Sequence, residues 1–140
     1  MTHFAGPTRT VVARGVAMAL AAVGVLLAPE ARGTVQATTG TMAAPRSEHT
    51  ATFLGTGRVL GAGGRTTDGV RVATAELYDP ATGAFKPTAS MPEARNGHTA
   101  TVLRNGKVLV AGGSDASGAL ATCRLYDPRT GAWTTTGSLA

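Results

Sequence analysis

At 140 residues the chain allows at most about one ordinary domain, and its single cysteine, Cys123, rules out an intramolecular disulfide framework. Thirteen Lys and Arg against eight Asp and Glu give a formal charge of +5. The basic residues stand singly, with no basic run and no aromatics interleaved among them, which excludes the clustered footprint of a nucleic-acid binder.

The first element in chain order is a leader. Arg9 and Arg14 precede the apolar run Gly15 to Ala28, and small and polar residues follow it. This order of charge, apolar core and small residues is that of a secretory signal, and the run is shorter than the about 20 residues a membrane span requires. Val35 and Ala37 occupy the minus-three and minus-one positions of a cut after Ala37, while Ala31 and Gly33 offer a weaker site. No cysteine follows the run directly, which disfavours a lipid-anchored form. An uncleaved N-terminal anchor or a buried helix is the alternative. The expected organisation is a signal peptide over 1–37 and two units over 38–90 and 91–140. The mature chain would be secreted to the extracellular space or periplasm, with no membrane attachment after cleavage. Removing Arg9, Arg14, Arg32 and Glu30 leaves ten basic and seven acidic residues, a net charge of +3.

The two units are copies. "MAAPRSEHTATFLGTGRVLGAGG" (42–64) matches "MPEARNGHTATVLRNGKVLVAGG" (91–113) at thirteen of twenty-three positions, offset by 49. "ELYDPATGAF" (76–85) matches "RLYDPRTGAW" (124–133) at an offset of 48. One residue is therefore missing after the Gly112–Gly113 pair, where a surface loop tolerates a length change. "TTGTM" (38–42) parallels "TTGSL" (135–139), so the copies begin and end at the same phase. A period of this length signals a solenoid, propeller or array.

Each unit reads as four short strands. His98 to Leu103 alternates polar and apolar residues, as a half-buried strand does. Lys107 to Gly113 is a continuous apolar run, which suits an inner strand covered on both faces. Asn105 and Gly106 between them predict a type I′ turn. Thr122 to Pro128 alternates again, and its turn has a mechanism: Asp127 bonds the backbone ahead, Pro128 presets φ, and Gly131 takes the left-handed place. The fourth strand is expected to start at Trp133. Helical periodicity is missing from residue 38 onward.

The Gly pair, Tyr126 thirteen residues later, Trp133 seven after that, and an Arg with a following His opening the next unit resemble the kelch repeat, particularly its secreted bacterial form. The resemblance spans residues 38–140 in two copies. It implies an all-β fold in which each copy is one four-stranded blade of a β-propeller of the galactose oxidase-like type.

Repeated residues have structural duties to be weighed first. Gly63, Gly64, Gly112 and Gly113 allow close backbone approach. Tyr78, Phe85, Tyr126 and Trp133 are the bulky groups between blades, with sugar stacking as the lesser reading. No helix follows the Gly-rich segments, so they are no phosphate cradle. His49 and His98 share one phase of the inner strand, but a metal would need ring nitrogens within about 2.1 Å, and no further ligands are at hand, so no metal or cofactor is expected.

Cys123 aligns with Ala75 as a small buried residue. The resemblance also allows a cysteine crosslinked to tyrosine, as in copper radical oxidases similar to galactose oxidase, yet no ligand set outside the repeat matches that family. Enzyme chemistry is not expected.

Arg46 and Arg95 open the segment linking one blade to the next, and the resemblance implies capture of acidic peptides by arginines near that position. The plainer reading is an interblade salt bridge. The loops after the Gly pairs differ most between copies, which marks Asp68, Arg71, Asp115 and Ser117 as candidate binding residues.

Closed propellers have four to eight blades, and two leave two faces open. Either the chain is cut from a longer one at a repeat boundary, or copies associate as a homo-oligomer that completes the ring. The reading is a secreted binding or scaffold module for a protein or glycan partner. The alternatives are a fragment of a copper radical oxidase and a non-functional gene fragment.

Overall fold

The structure, a computed structural model, describes residues 39–140; the leader and its cut after Ala37 lie outside the described residues. Every element within them is a strand. The first four-stranded sheet, blade 1, has the order β1 (Thr50–Phe53), β2 (Val59–Ala62), β3 (Ala75–Asp79) and β4 (Ala84–Thr88). Blade 2 repeats that meander with β5 (Thr99–Val102), β6 (Val108–Ala111), β9 (Thr122–Asp127) and β10 (Ala132–Ser138). All pairings are antiparallel. A small hairpin of β7 (Ser114–Asp115) and β8 (Gly118–Ala119) lies in the loop after the second Gly pair.

Register is equivalent in the two blades. Val59 pairs with Tyr78 and Tyr78 with Phe85, as Val108 pairs with Tyr126 and Tyr126 with Trp133. Each triplet lies on one face, because successive side chains of a strand point to opposite sides. Leu60, Ala62, Ala75 and Leu77 form the other face of blade 1. The core lies between the blades. There Leu54, Leu60, Ala62 and Ala75 of blade 1 meet Val108, Val110 and Tyr126 of blade 2, with Met91 from the linker. A smaller cluster, Val59 and Tyr78 with Phe85 packed against it, covers the far face of blade 1. The tilted aromatic pairs have centroid separations of 4.9 Å for Tyr78–Phe85 and 5.0 Å for Tyr126–Trp133, in the range where such pairs are attractive.

Sharing of the core decides burial in the second strands. All four residues of β2 are buried, whereas β6 alternates buried Val108 and Val110 with half-buried Leu109 and Ala111. The continuous apolar run of 107–113 is thus covered on one face only within this chain.

The hairpin turn at Asn105–Gly106 departs from the type I′ expectation. Gly106 has φ +81°, but Asn105 does not have positive φ. Gly106 N–H donates to Leu103 O (2.9 Å) and Leu103 N–H donates to Lys107 O (2.8 Å). This is a three-residue loop that ends in one left-handed glycine, a solution that also matches strand twist. The Asn105 side chain accepts from Lys107 N–H at 3.1 Å, which holds the bend without a second positive φ. The turn at Asp127 is built by the side chain, whose Oδ1 accepts from Arg129 N–H at 2.9 Å, and Gly131 has φ +71°. Asp79 does the same for Ala81 at 3.0 Å.

Candidate functional site

The linker and the loops after the Gly pairs gather at one end of the two blades. What draws them together is close backbone contact. Gly64 has φ +100°, and a Cβ there would stand 2.5 Å from Ser47 O; at Gly113, φ +86°, it would stand 2.6 Å from Asn96 O. Backbone bridges join Ser47 to Arg65, Arg65 to Arg71, and Asn96 to Ser114. Side chains of larger size at the second glycine of each pair would separate loop from linker.

Across this end runs a polar clamp between blades. Asn96, buried, donates from its amide to the carboxylate of Glu48. Its Oδ1 accepts from Arg71 Nε at 2.8 Å and from Ser114 Oγ at 3.1 Å. Arg65 pairs with the other oxygen of Glu48 at 2.7 Å. Glu48 is the one non-glycine among the described residues with positive φ, +55°; Gly97, with φ +63°, stands at the same phase of blade 2. The left-handed conformation costs a side-chain-bearing residue about 1–2 kcal/mol, and the bridge to Asn96 and Arg65 offsets it. Glu48→Gly is therefore expected to lower stability by about 1 kcal/mol, the charge-assisted hydrogen bond lost outweighing the strain relieved. Urea denaturation checks this, and a gain in stability would show that strain dominates.

Arg46 and Arg95 lie inside the protein, with side chains 3% and 0% exposed. Arg46 Nη1 donates to Gly63 O (3.3 Å) and Thr74 O (3.0 Å), and its Nη2 to Glu76 Oε1 (2.8 Å). Arg95 Nη1 repeats this with Gly112 O (3.0 Å) and Thr122 O (2.9 Å). Its anion differs. The Glu76 position is occupied by Arg124 in blade 2, and Glu93 of the linker, at the phase of Ala44, supplies the carboxylate instead. Glu93 accepts from Arg95 Nη2 (3.0 Å) and from Arg124 Nε (2.9 Å), and pairs with Arg124 Nη2 as well. Burial alone would raise the Glu93 pKa; hydrogen bonds and charge from Arg124, then Arg95, outweigh it and hold the carboxyl below its ordinary value. The forks the sequence offers for a ligand carboxylate are thus filled by the blade's own carbonyls and carboxylates.

His98 is buried between the blades and its Nε2 pairs with Thr50 Oγ1 at 2.9 Å. Burial, then the charge of Arg95 and that of His49, lowers its pKa to about 4. His49 is lowered too, by burial and then by Arg46. The Nδ1 atoms of both rings are buried without a partner among the described residues. No group of three or more His, Cys, Asp or Glu among the described residues is arranged to hold a metal ion. Cys123 is a buried free thiol opposite Ala111.

Of the loop candidates, Asp68 is exposed and Arg71 half-buried. Asp115 Oδ1 accepts from Ser117 N–H (2.7 Å) and Gly118 N–H (3.1 Å), so it shapes the hairpin whose tip carries the exposed Ser117. The structure brings Arg71, Asn96 and Glu48 together; Asn96 and Glu48 were not among the sequence candidates. Their signal was the departure from the repeat, Glu48 against Gly97 and Ser47 against Asn96.

Residues 94–140 match the family model of the Kelch motif. Residues 94–140 form a kelch repeat. The four-stranded meander of blade 2 fits one kelch blade, and blade 1 repeats its register strand for strand. No curated protein matches the chain. The kelch motif suggests a β-propeller protein-interaction module.

Proposed function

We propose that this kelch chain is a secreted binding or scaffold module for a protein or glycan partner, without catalytic activity of its own, and that the loop end engages the ligand. The observation that carries the reading is the contrast at that end between a repeated frame and two unlike loops. Blade 1 presents a turn at Thr66–Gly69 with Asp68 exposed; blade 2 presents the β7–β8 hairpin with Ser117 at its tip. Arg71 is oriented between them by its Nε bond to Asn96, and its two terminal amino groups have no partner among the described residues. A guanidinium so held suits a carboxylate or vicinal hydroxyls, and the acidic flanks tune selectivity.

The test uses the secreted form, expected to have the intact mass of residues 38–140, immobilised and exposed to acidic peptides, neutral oligosaccharides and uronic-acid oligosaccharides. Saturable binding of one class, reduced at least tenfold by Arg71→Ala in a variant that still melts cooperatively, is the expected result. Retention of the uncleaved leader, or no saturable binding by any class, would overturn the reading.

A further inference from the structure

The hairpin turns lie at the opposite end of the blades from the linker and the loops after the Gly pairs, and charge divides between the two ends. The turn end carries Arg58, Arg104, Lys107 and Arg129 against Asp79 and Asp127, while the loop end carries Arg65 and Arg71 against Glu48, Asp68 and Asp115. In blade 1 the turns balance, with Arg58 Nε 3.4 Å from Asp79 Oδ2. Blade 2 repeats that pair with Lys107 and Asp127 and adds two arginines, Arg104 at the phase of Gly55 and Arg129 at the phase of Ala81. The excess positive charge of this end therefore belongs to blade 2.

The fold gathers cations that stand singly in the sequence. Val108 pairs with Tyr126, which sets Lys107 beside Asp127 and brings the β5–β6 turn against the β9–β10 turn. Lys107 Nζ and Arg129 Nη2 approach one oxygen, Asp127 Oδ2, at 3.6 and 3.5 Å. Both contacts are longer than a charge-assisted hydrogen bond, and the Arg129 side chain is 82% exposed, so they hold these cations weakly. Arg104 is exposed and its guanidinium has no partner among the described residues. The backbone beneath is fixed: Asn105 Oδ1 accepts from Lys107 N–H at 3.1 Å, and Asp127 Oδ1 from Arg129 N–H at 2.9 Å.

We infer that the paired turns of blade 2 form a docking surface for an anionic polysaccharide, whose sulfate, phosphate or carboxylate groups meet Arg104, Lys107 and Arg129. A guanidinium donates from its planar fork to two oxygens of such a group, and Asp127 neutralises only one of the three cations. The chemistry of the turns favours a hydrated sugar chain over other polyanions. Residues 55–58, 80–83, 104–107 and 128–131 include no aromatic residue and no Val, Leu, Ile or Met. Nothing there stacks on bases or enters hydrocarbon. This surface is independent of the loop-end reading, and a chain held by its turns leaves the loop end facing outward.

Binding of the secreted chain to immobilised dextran sulfate tests this, with neutral dextran, single-stranded DNA and phosphatidylglycerol vesicles as comparisons. The expected result is saturable binding to dextran sulfate, none to dextran, and weaker binding to DNA and vesicles. Raising salt weakens it, because exposed charges are screened beyond about 10 Å at 0.1 M. The double variant Arg104→Gly with Arg129→Ala gives blade 2 the residues of blade 1 and is expected to lower affinity at least about tenfold. The reciprocal pair, Gly55→Arg with Ala81→Arg, is expected to raise it, and a Cβ at Gly55 meets open space. Absence of binding, equal affinity in a double variant that melts cooperatively, or tighter binding to DNA or vesicles would overturn the inference. So would loss in Arg71→Ala in place of the double variant, which would put the anion at the loop end. If the double variant fails to fold, the reciprocal pair decides, and no gain there would overturn it.

Discussion

Arg95→Met is expected to lower the stability of the two-blade unit by about 3–5 kcal/mol. The substitution keeps an apolar stem of similar length, so the loss is that of the guanidinium and not of packing. Gly112 O and Thr122 O would remain buried without their donor, and an unsatisfied buried acceptor costs about 1–3 kcal/mol. Glu93 would keep Arg124, which prevents the added cost of a bare carboxylate. In blade 1 the equivalent change, Arg46→Met, leaves Glu76, 5% exposed, with only the Ala43 N–H at 3.1 Å among the described residues, and is expected to cost at least as much. Against a total of roughly 5–15 kcal/mol for a domain of this size, either change removes a large share. Urea denaturation should show a lower midpoint with an unchanged m value. A loss under about 1 kcal/mol would mean that solvent replaces the guanidinium. Arg95→Lys is expected to recover little, since an ammonium lacks the planar fork that reaches two carbonyls and a carboxylate together.

The sequence offers two readings of these arginines, forks for a ligand carboxylate and the plainer interblade salt bridge. They recur at one phase of both copies, and a residue demanded by every blade serves contacts that every blade makes. A residue that selects a ligand belongs instead where the copies differ, as at Asp68 and Ser117. The blades themselves were legible because period-two alternation, the Gly pair and the Asp-Pro turn act over a few residues each. The exchange of anion between blades was not, because Glu93 and Arg124 are 31 residues apart. It leaves two marks in the aligned copies, Ala44 against Glu93 and Glu76 against Arg124, and only together do they balance charge. The β7–β8 hairpin left no alternation to find in Ser-Asp-Ala-Ser-Gly. The three-residue turn at Asn105–Gly106 differs from the type I′ expectation because Asn-Gly suits two turn types, and the choice depends on how many residues the flanking strands leave unpaired.

Acid is expected to lower the stability of the fold through His98. The imidazole is buried between β1 and blade 2, and an added Cβ at Gly63 would stand 2.7 Å from its Cε1, so the site has no room for hydration of a cation. Arg95 and His49 face it with charge of the same sign. Its folded pKa of about 4 lies below the ordinary 6.5, so between these values the unfolded chain binds a proton that the fold refuses. Stability from this group is complete above about pH 6.5 and falls as pH drops toward 4, by about 1.4 kcal/mol per pH unit and about 3 kcal/mol in all. His49, also lowered, acts in the same direction. Glu93 acts in a separate window: with its folded pKa below the ordinary 4.5, its contribution is lost only as pH falls beneath that value. The measurement is the urea midpoint of the unaltered chain and of His98→Gln at several pH values from 7.5 to 4. The glutamine can still meet Thr50 and cannot titrate, so its slope between pH 6.5 and 4 is expected to shrink to what His49 alone contributes. Equal slopes in both proteins would mean that His98 takes up its proton within the folded chain, and that the contact between inner strands opens to water without loss of the blades.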